Sequence, residues 1–313
     1  MPASLCRLRF VFMLAILAFA TSRAASACSI CRCGDPTFNA LGSNVYSSGQ
    51  LHLALDWDRF DKSQATEEGG EAGRDEEVEN RYTATLSYSY AERVVGVVRL
   101  PYSTRTLTTS FDDGSDEVRT SGFSDPEIYT LVRLWSSDFG PGLGRRAWLS
   151  AVLGVKTPRG SNRVRRNGER ADEHAQPGTG STDLFGGLSS IYLVDDHSSI
   201  FASAQYRGTG RNAFGYRYGD IATVNLAYER KLTEKLDGVI EANYRSAAPD
   251  EVDGAGERDP NTGGKILYLT PRAMFEVSSR VVLRVAAQIP VWKRLHGIQR
   301  EKANLNAGVT LLF

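Results

Sequence analysis

The chain has 313 residues and carries 37 acidic and 37 basic side chains, with a sequence pI near 6.9. This balance argues against a dedicated nucleic-acid-binding protein, which would carry a basic excess. The mean hydropathy of -0.30 excludes a helical membrane protein but not a β-barrel, in which about half of each strand is polar.

The first 27 residues predict a cleaved signal peptide. Arg7 and Arg9 precede an apolar run from Phe10 to Phe19, and the small residues of Ala25–Ala27 form a cleavage site. The run is too short to cross a membrane as a helix. Cleavage would leave Cys28 as the first mature residue, and lipidation of this cysteine is an alternative that the cleavage site does not favour.

Residues 28–48 form a tail that we expect to lie in the periplasm, with Cys28, Cys31 and Cys33 within six positions. Thiolates at this spacing can bind a soft metal such as copper(I) or zinc, although three cysteines without a histidine are an incomplete tetrahedral set. A disulfide or redox pair with one free thiol is the alternative in an oxidising compartment. Arg32 stands where a c-type haem motif needs histidine. We therefore expect no resident cofactor, with a soft metal on this tail as the less favoured alternative.

Residues 49–313 predict one domain, because apolar and polar residues alternate along almost all of it. In Tyr82–Tyr90, for example, every second residue is apolar and those between are threonine or serine, which is typical of a strand between lipid and a wet interior. Each segment is near the roughly 9–11 residues that a tilted strand needs to cross a bilayer. The pattern predicts an all-β protein, a transmembrane antiparallel up-and-down β-barrel of about 12 strands. The predicted strands are Leu51–Asp58, Tyr82–Tyr90, Val94–Tyr102, Glu127–Trp135, Ala147–Lys156, Leu184–Leu193, Ile200–Arg207, Ile221–Arg230, Leu236–Arg245, Ile266–Val277, Val281–Ile289 and Lys302–Phe313.

Short links between these strands alternate with long polar ones, which is the arrangement of outer-membrane barrels with periplasmic turns and external loops. An even strand number places both termini in the periplasm. We therefore predict a bacterial outer-membrane protein in contact with lipid and lipopolysaccharide. A secreted β-sandwich or soluble barrel is the alternative. The predicted long loops are Arg59–Glu79, Ser103–Ser121, Pro158–Gly180, Gly208–Gly219, Ala247–Gly264 and Pro290–Glu301.

Charged residues at inward positions are the candidate pore lining, because charges facing lipid would be costly. Two interpretations stay open: an ion-pair ladder that fills the barrel, or a water-filled passage that orients a solute. The candidates are Asp56, Asp58, Arg99, Arg133, Lys156, Arg207, Glu229, Glu241, Arg245, Arg272, Glu276 and Arg284.

An enzyme is not expected. The histidines His52, His174, His197 and His296 show no recognisable pattern with a serine. The glycine-rich segments lack the lysine and the strand-to-helix setting of a phosphate-binding loop, and they predict turns. Charged loop segments are expected to be solvated, although the arginines of Arg159–Arg170 could bind lipid phosphates or fold inward and narrow the mouth.

Four segments between Leu51 and Phe313 resemble the outer-membrane transporter family named for the meta-pathway of phenol degradation (MetA-like). They are Gly122–Pro126, Lys156–Gly160, Gly178–Asp183 and Ala287–Pro290. The resemblance implies a barrel that transports small, often aromatic or hydrophobic compounds, whereas the cysteine tail is not part of the pattern.

We therefore expect a porin-like channel that passes a small solute by passive diffusion. The alternative is a structural or partner-docking barrel, whose cysteine tail would bind a periplasmic metal carrier or redox protein.

Overall fold

The computed structural model describes residues 49–68, 71–91, 93–111, 114–138, 146–166, 168–252, 256–297 and 300–313. The predicted signal peptide and the cysteines Cys28, Cys31 and Cys33 lie outside these residues. No helix in the described ranges is long and apolar enough to cross a membrane. The helical structure described here is one 3-10 turn, Glu173–Ala175.

Eighteen strands account for most of the described chain. They are β1 (Leu51–Glu68), β2 (Glu71–Ala91), β3 (Val94–Phe111), β4 (Gly114–Phe123), β5 (Glu127–Asp138), β6 (Arg146–Lys156), β7 (Arg165–Arg166), β8 (Glu169–Arg170), β9 (Asp183–Asp195), β10 (Ser198–Gly208), β11 (Ile221–Thr233), β12 (Leu236–Ala247), β13 (Glu251–Val252), β14 (Glu257–Arg258), β15 (Gly264–Ser278), β16 (Val281–Leu295), β17 (Arg300–Glu301) and β18 (Asn304–Leu312).

The wall is a closed antiparallel barrel of twelve strand positions, which confirms the predicted architecture. Strand β1 pairs with β2 on one side and with β17 and β18 on the other, so the sheet has no free edge there. Strands β4 and β5 pair with successive parts of β3, so together they fill one strand position of the wall. Strands β17 and β18 do the same along β1. Closure satisfies the backbone groups of the wall, which a bilayer requires.

The two faces of the wall differ as the alternation predicts. Serine, threonine and charged side chains fill the interior positions, as in the buried set Thr83, Thr85, Ser87 and Ser89 of β2. Large apolar side chains point outward and are exposed around the circumference. Examples are Leu86, Tyr88, Leu100, Ile128, Leu153, Leu188, Val224, Leu226, Ile240, Leu269, Leu283 and Val285.

The chain connects its strands differently at the two ends of the barrel. Leu51 and Phe313 meet at the short-turn end, where the Leu51 amide donates to the Phe313 carbonyl at 3.3 Å. The opposite end carries the long connections 157–182, 209–220 and 248–263. Both ends of the barrel segment therefore lie on the short-turn side.

Three of the predicted long loops are wrong in whole or in part. Residues 59–68 and 71–79 continue β1 and β2 as a paired hairpin, and residues 103–111 and 114–121 form the hairpin of β3 and β4. Strand β16 also continues past Pro290 to Leu295. These extensions carry polar residues on both faces, so they lack the apolar contrast that marked the membrane strands, yet their backbones pair regularly.

Candidate functional site: the closed mouth of the barrel

A buried carboxylate, Asp125, holds the loop 157–182 to the barrel wall. Asp125 lies in the break between β4 and β5, where Pro126 interrupts the strand, and it is 4% exposed. Its carboxylate accepts hydrogen bonds from the amide of Gly160 (2.9 Å), the amide of Thr179 (2.7 Å), the Thr179 hydroxyl (2.6 Å) and the amide of Gly180 (3.2 Å). We call this arrangement the Asp125 anchor. It brings together three of the four segments on which the family resemblance rests.

Lys156 joins the Asp125 anchor to the neighbouring wall. Its Nζ lies 2.7 Å from Asp183 Oδ2 and 3.6 Å from Asp125 Oδ2, and it donates to the hydroxyls of Thr179 and Ser181. All these side chains are buried. A buried cation is tolerated only when its charge is paired and its protons are accepted, so Lys156 and its two carboxylates depend on one another.

The charge pairing continues around the interior through Glu127. Arg207 of β10 donates to Glu127 Oε1 at 2.7 Å, and Arg99 of β3 donates to Glu127 Oε2 at 3.0 Å. Arg207 also lies 3.8 Å from Asp183 Oδ2. These contacts link β3, β5, β9 and β10 in a belt of opposite charges just inside the long-loop end.

The loop 157–182 reaches across the mouth of the barrel through its 3-10 turn. The carbonyls of His174 and Ala175 accept hydrogen bonds from Arg105 of β3 and Thr120 of β4. On the other side, the Tyr218 hydroxyl donates to the carbonyl of Glu173 at 3.0 Å. The turn is therefore held between the β3–β4 hairpin and the connection 209–220, on well-separated positions of the wall.

A second cluster ties the loop to the connection 248–263. The Tyr216 hydroxyl lies 3.1 Å from His174 Nε2 and donates to Asp250 Oδ2 at 2.6 Å, while the Gly219 amide donates to Asp250 Oδ1 at 2.7 Å. Burial raises the pKa of the Asp250 carboxyl, although the neighbouring His174 and these hydrogen bonds favour its ionised form. Three of the long connections at this end are thus joined by polar contacts.

The remaining candidate pore residues are mostly paired within the interior. Arg284 donates to Asp56 at 2.8 Å and Arg272 donates to Glu241 at 2.9 Å. The Asp56–Arg284 pair lies close to Gly308, and a Cβ at that position would approach Asp56 Oδ1 to 2.2 Å.

The other five candidate pore residues differ in their surroundings. Asp58 accepts from Asn306 at 2.8 Å, Arg133 lies 5.8 Å from the ring centroid of Trp148, and Arg245 is buried. Glu229 lies 3.4 Å from the Ser199 hydroxyl. Glu276 is exposed near the short-turn end. Most of these charged side chains are buried and paired, which favours an ion-pair ladder over an open, water-filled passage.

One side of the interior near the short-turn end carries an apolar patch, whereas the sequence pattern predicts polar inward positions there. Phe201, Ala227, Val239 and Met274 form a buried cluster, against which Ile191 and Val282 pack. These residues share the inward positions of β10, β11, β12 and β15 with the polar residues farther up the barrel. We call this set the apolar cluster. Among the described residues, the interior therefore combines polar contacts across the mouth with an apolar patch on one side of the wall below.

Other residues of the site were also missed. The sequence predicts no role for Asp125, Asp183, Tyr216, Tyr218 and Asp250, which lie outside the predicted strands, because their partners are far away in sequence. The signal that could have found Asp125 is its position before a proline within a strand break. Within the described part of the chain, no group of histidine, cysteine, aspartate and glutamate side chains could hold a metal.

No family model and no curated protein matches the sequence. Among solved structures, the chain is similar to an outer membrane channel from Pseudomonas putida F1, with a TM-score of 0.62 and 11% identity over 86% of this chain and 97% of that chain. It also matches the CymD monoaromatic hydrocarbon channel (TM-score 0.43, 9% identity, 88% and 91% covered). A FadL homologue from Pseudomonas aeruginosa gives a TM-score of 0.40 at 9% identity, with 86% and 91% covered.

The match to the Pseudomonas putida channel shows that this chain has the fold of an outer-membrane β-barrel. The other two likenesses are too weak to carry an argument. The resemblance to the phenol-degradation family stays a prediction.

Proposed function

We propose that this protein is a gated channel of the bacterial outer membrane, which passes a small solute by passive diffusion. The observation that carries the proposal is the way in which the mouth is closed. The loop 157–182 lies over a charged interior and is held there by hydrogen bonds and ion pairs, chiefly those of Asp125.

Polar closure of this kind suits a gate. A hydrogen bond contributes only about 0.5–1.5 kcal/mol net, because water replaces the lost partner when the bond opens. A loop held in this way can leave the mouth and expose a hydrated charged passage at modest cost. A barrel built only for structural support would gain more from a continuous apolar filling.

The solute class follows from the two environments of the interior. The charge belt favours a polar or charged group, and the apolar cluster favours a hydrophobic or aromatic body. A small compound with both features fits this interior, in agreement with the compounds that the family resemblance implies. In this proposal the short turns and both termini face the periplasm, the long loops face the exterior, and the protein is not an enzyme.

A reversible cross-link between the loop and the wall tests the gate. We propose the double variant Thr120→Cys and Ala175→Cys, because the Thr120 hydroxyl contacts the Ala175 carbonyl. Cys28, Cys31 and Cys33 are replaced by serine in the same chain. Single-channel currents in planar bilayers should be lower when the new pair is oxidised than after reduction with dithiothreitol.

The matched control carries Thr120→Cys alone, and its currents should not respond to dithiothreitol. Loss of the oxidised cross-link band on a non-reducing gel verifies the reduction. Two results would contradict the proposal: a silent bilayer for the reduced protein, or equal currents with and without the cross-link.

A further inference from the structure

Two arginines, Arg272 and Arg284, lie on neighbouring strands in the middle of the barrel interior. Arg272 of β15 is 4% exposed and Arg284 of β16 is 6% exposed. Their strands pair with Arg272 opposite Ala286 and Met274 opposite Arg284, so the two guanidinium groups occupy diagonal inward positions. Such diagonal neighbours are within reach of long side chains.

Each arginine is held by one carboxylate on one side only. Arg272 donates through Nε to Glu241 Oε1 at 2.9 Å, and Arg284 donates through Nη2 to Asp56 Oδ1 at 2.8 Å. Among the described residues, no protein group accepts from Arg272 Nη1 or Nη2, or from Arg284 Nε, although these atoms are fully buried. An unsatisfied buried donor costs about 1–3 kcal/mol, and more when it is charged.

Both terminal nitrogens of Arg272 are therefore directed into the interior without an acceptor. A guanidinium group presents its donors in a planar fork that matches a carboxylate. The proximity of a second guanidinium adds to the attraction for an anion, because like charges repel strongly in a medium of low dielectric constant. Glu241 and Asp56 already balance the two positive charges, so the unsatisfied donors, rather than an excess of charge, are what a carboxylate from outside the protein would bind.

The apolar cluster lies directly beside this fork. Met274 is the next inward residue of β15 after Arg272, and Val239 is the cross-strand partner of Arg272. Both belong to the apolar cluster, which also contains Phe201. A ligand whose carboxylate contacts Arg272 would therefore place its remaining atoms against apolar and aromatic side chains.

We propose that Arg272 and Arg284 form an anion-binding site for a small carboxylate with an apolar or aromatic body. This inference rests on the proposed function, because the solute reaches the site through the barrel. Both arginines are buried in this structure, so the side chains around Arg272 must move apart when a ligand carboxylate forms a bidentate ion pair with its terminal nitrogens.

Equilibrium binding to the complete barrel in detergent micelles tests the site, with benzoate as the probe at neutral pH. Isothermal titration calorimetry is compared for benzoate, the neutral analogue benzyl alcohol, acetate and inorganic phosphate. We expect benzoate to bind most tightly, because only benzoate combines the carboxylate with a ring. Tighter binding of phosphate would contradict the apolar part of the proposal.

Arg272→Lys is the decisive variant, because it keeps the charge beside Glu241 and removes the fork. We expect benzoate to bind this variant at least about tenfold more weakly than the wild type. Met274→Ala tests the apolar side and should weaken benzoate but not acetate. The matched control is Arg280→Gln, an exposed residue in the turn before β16. The heat-dependent mobility of the folded barrel on a gel verifies folding of each variant.

Equal binding of benzoate to wild type and Arg272→Lys would overturn the site, as would binding of benzyl alcohol as tight as that of benzoate. Absence of benzoate binding in a barrel that conducts would overturn the site and leave the channel function intact. Benzoate binding in a barrel that conducts no current in bilayers would support the site and overturn the proposed channel function.

Discussion

Two long stretches of this chain are both polar but have different structures. Residues 59–68 and 71–79 extend β1 and β2 in an unbroken register that runs from Leu51 opposite Tyr88 to Glu68 opposite Glu71. The loop 157–182 instead folds over the mouth with little regular pairing. The second stretch contains Pro158, Gly160, Pro177, Gly178 and Gly180, whereas the first contains no proline.

The comparison shows that polarity alone does not decide between strand and loop. Proline removes a ladder donor, so strands end at such positions, and glycine permits close approach of two backbones. At Gly160 a Cβ would lie 2.7 Å from the Asp125 amide nitrogen, so the close contact with the strand break needs glycine. The loop is thus bent where it meets the wall, and the Asp125 anchor holds it there.

The largest effect should come from Asp125→Ala. This change leaves four hydrogen-bond donors of the loop without their acceptor and takes one carboxylate from Lys156. Each buried donor left without an acceptor costs about 1–3 kcal/mol, whereas Lys156 keeps Asp183 as its partner. We expect the loop to leave the mouth, with several-fold larger single-channel currents and faster hydrogen exchange at the Thr179 amide.

The matched control for this prediction is Asp196→Ala, in the short turn between β9 and β10, where the side chain is exposed. It should leave both measurements at wild-type values. Gly160→Ala should act in the same direction as Asp125→Ala, because the added Cβ collides with backbone atoms. Wild-type currents in both Asp125→Ala and Gly160→Ala would disprove the role of the anchor.

The wall of the barrel could be predicted from the sequence because its signal is local. Alternation between lipid-facing and interior residues is visible within ten residues, as in Tyr82–Tyr90. The hairpin extensions could not be predicted in this way because neither of their faces is apolar. The alternation of apolar and polar residues therefore disappears, although the backbone pairing continues. Pairing in such a hairpin comes from a continuous register rather than from burial.

The site was less predictable, because it depends on contacts between residues that are far apart in sequence. Asp125 and Thr179 are 54 positions apart, and Asp56 and Arg284 are 228 positions apart. Inward parity identified Asp56 and Arg284 as interior charges but not as partners. The alternation in the sequence does not predict the apolar cluster, because Met274 and Phe201 take inward positions that the pattern gives to polar residues.

A pH effect should distinguish the outer contacts of the loop from the Asp125 anchor. Burial raises the pKa of Asp250 in the folded protein, so the folded cluster binds a proton more readily than a solvated aspartate with the ordinary value of 3.8. The contacts of Tyr216 and Gly219 with Asp250 should therefore become more stable as the pH falls through the pKa of Asp250 in the folded protein toward 3.8. This added stability is lost as the pH rises through the same pKa. His174 opposes the shift because its charge favours ionised Asp250.

Hydrogen exchange at the Gly219 amide, corrected for the intrinsic rate at each pH, measures this effect. Protection should increase from neutral pH toward pH 4 in the wild type, by less than the change caused by Asp125→Ala. Asp250→Asn keeps one acceptor oxygen for the Gly219 amide and places an NH2 group near the Tyr216 hydroxyl, which can accept from it. Because asparagine does not titrate, this variant should remove the pH dependence. Protection that falls with pH in the wild type would show that ionised Asp250 stabilises the cluster.

The smallest effect should come from shortening the first hairpin. Deletion of residues 64–75 would join Ser63 to Glu76, which already face each other across β1 and β2. Because Lys62 and Glu79 stay in place, the contacts below the deletion are kept, and none of the contacts of the Asp125 anchor involves the deleted residues. We expect wild-type currents and a folded barrel on a gel. A clear rise in current would mean that the hairpin closes the mouth together with the loop, and that regular pairing and irregular folding serve the same gate.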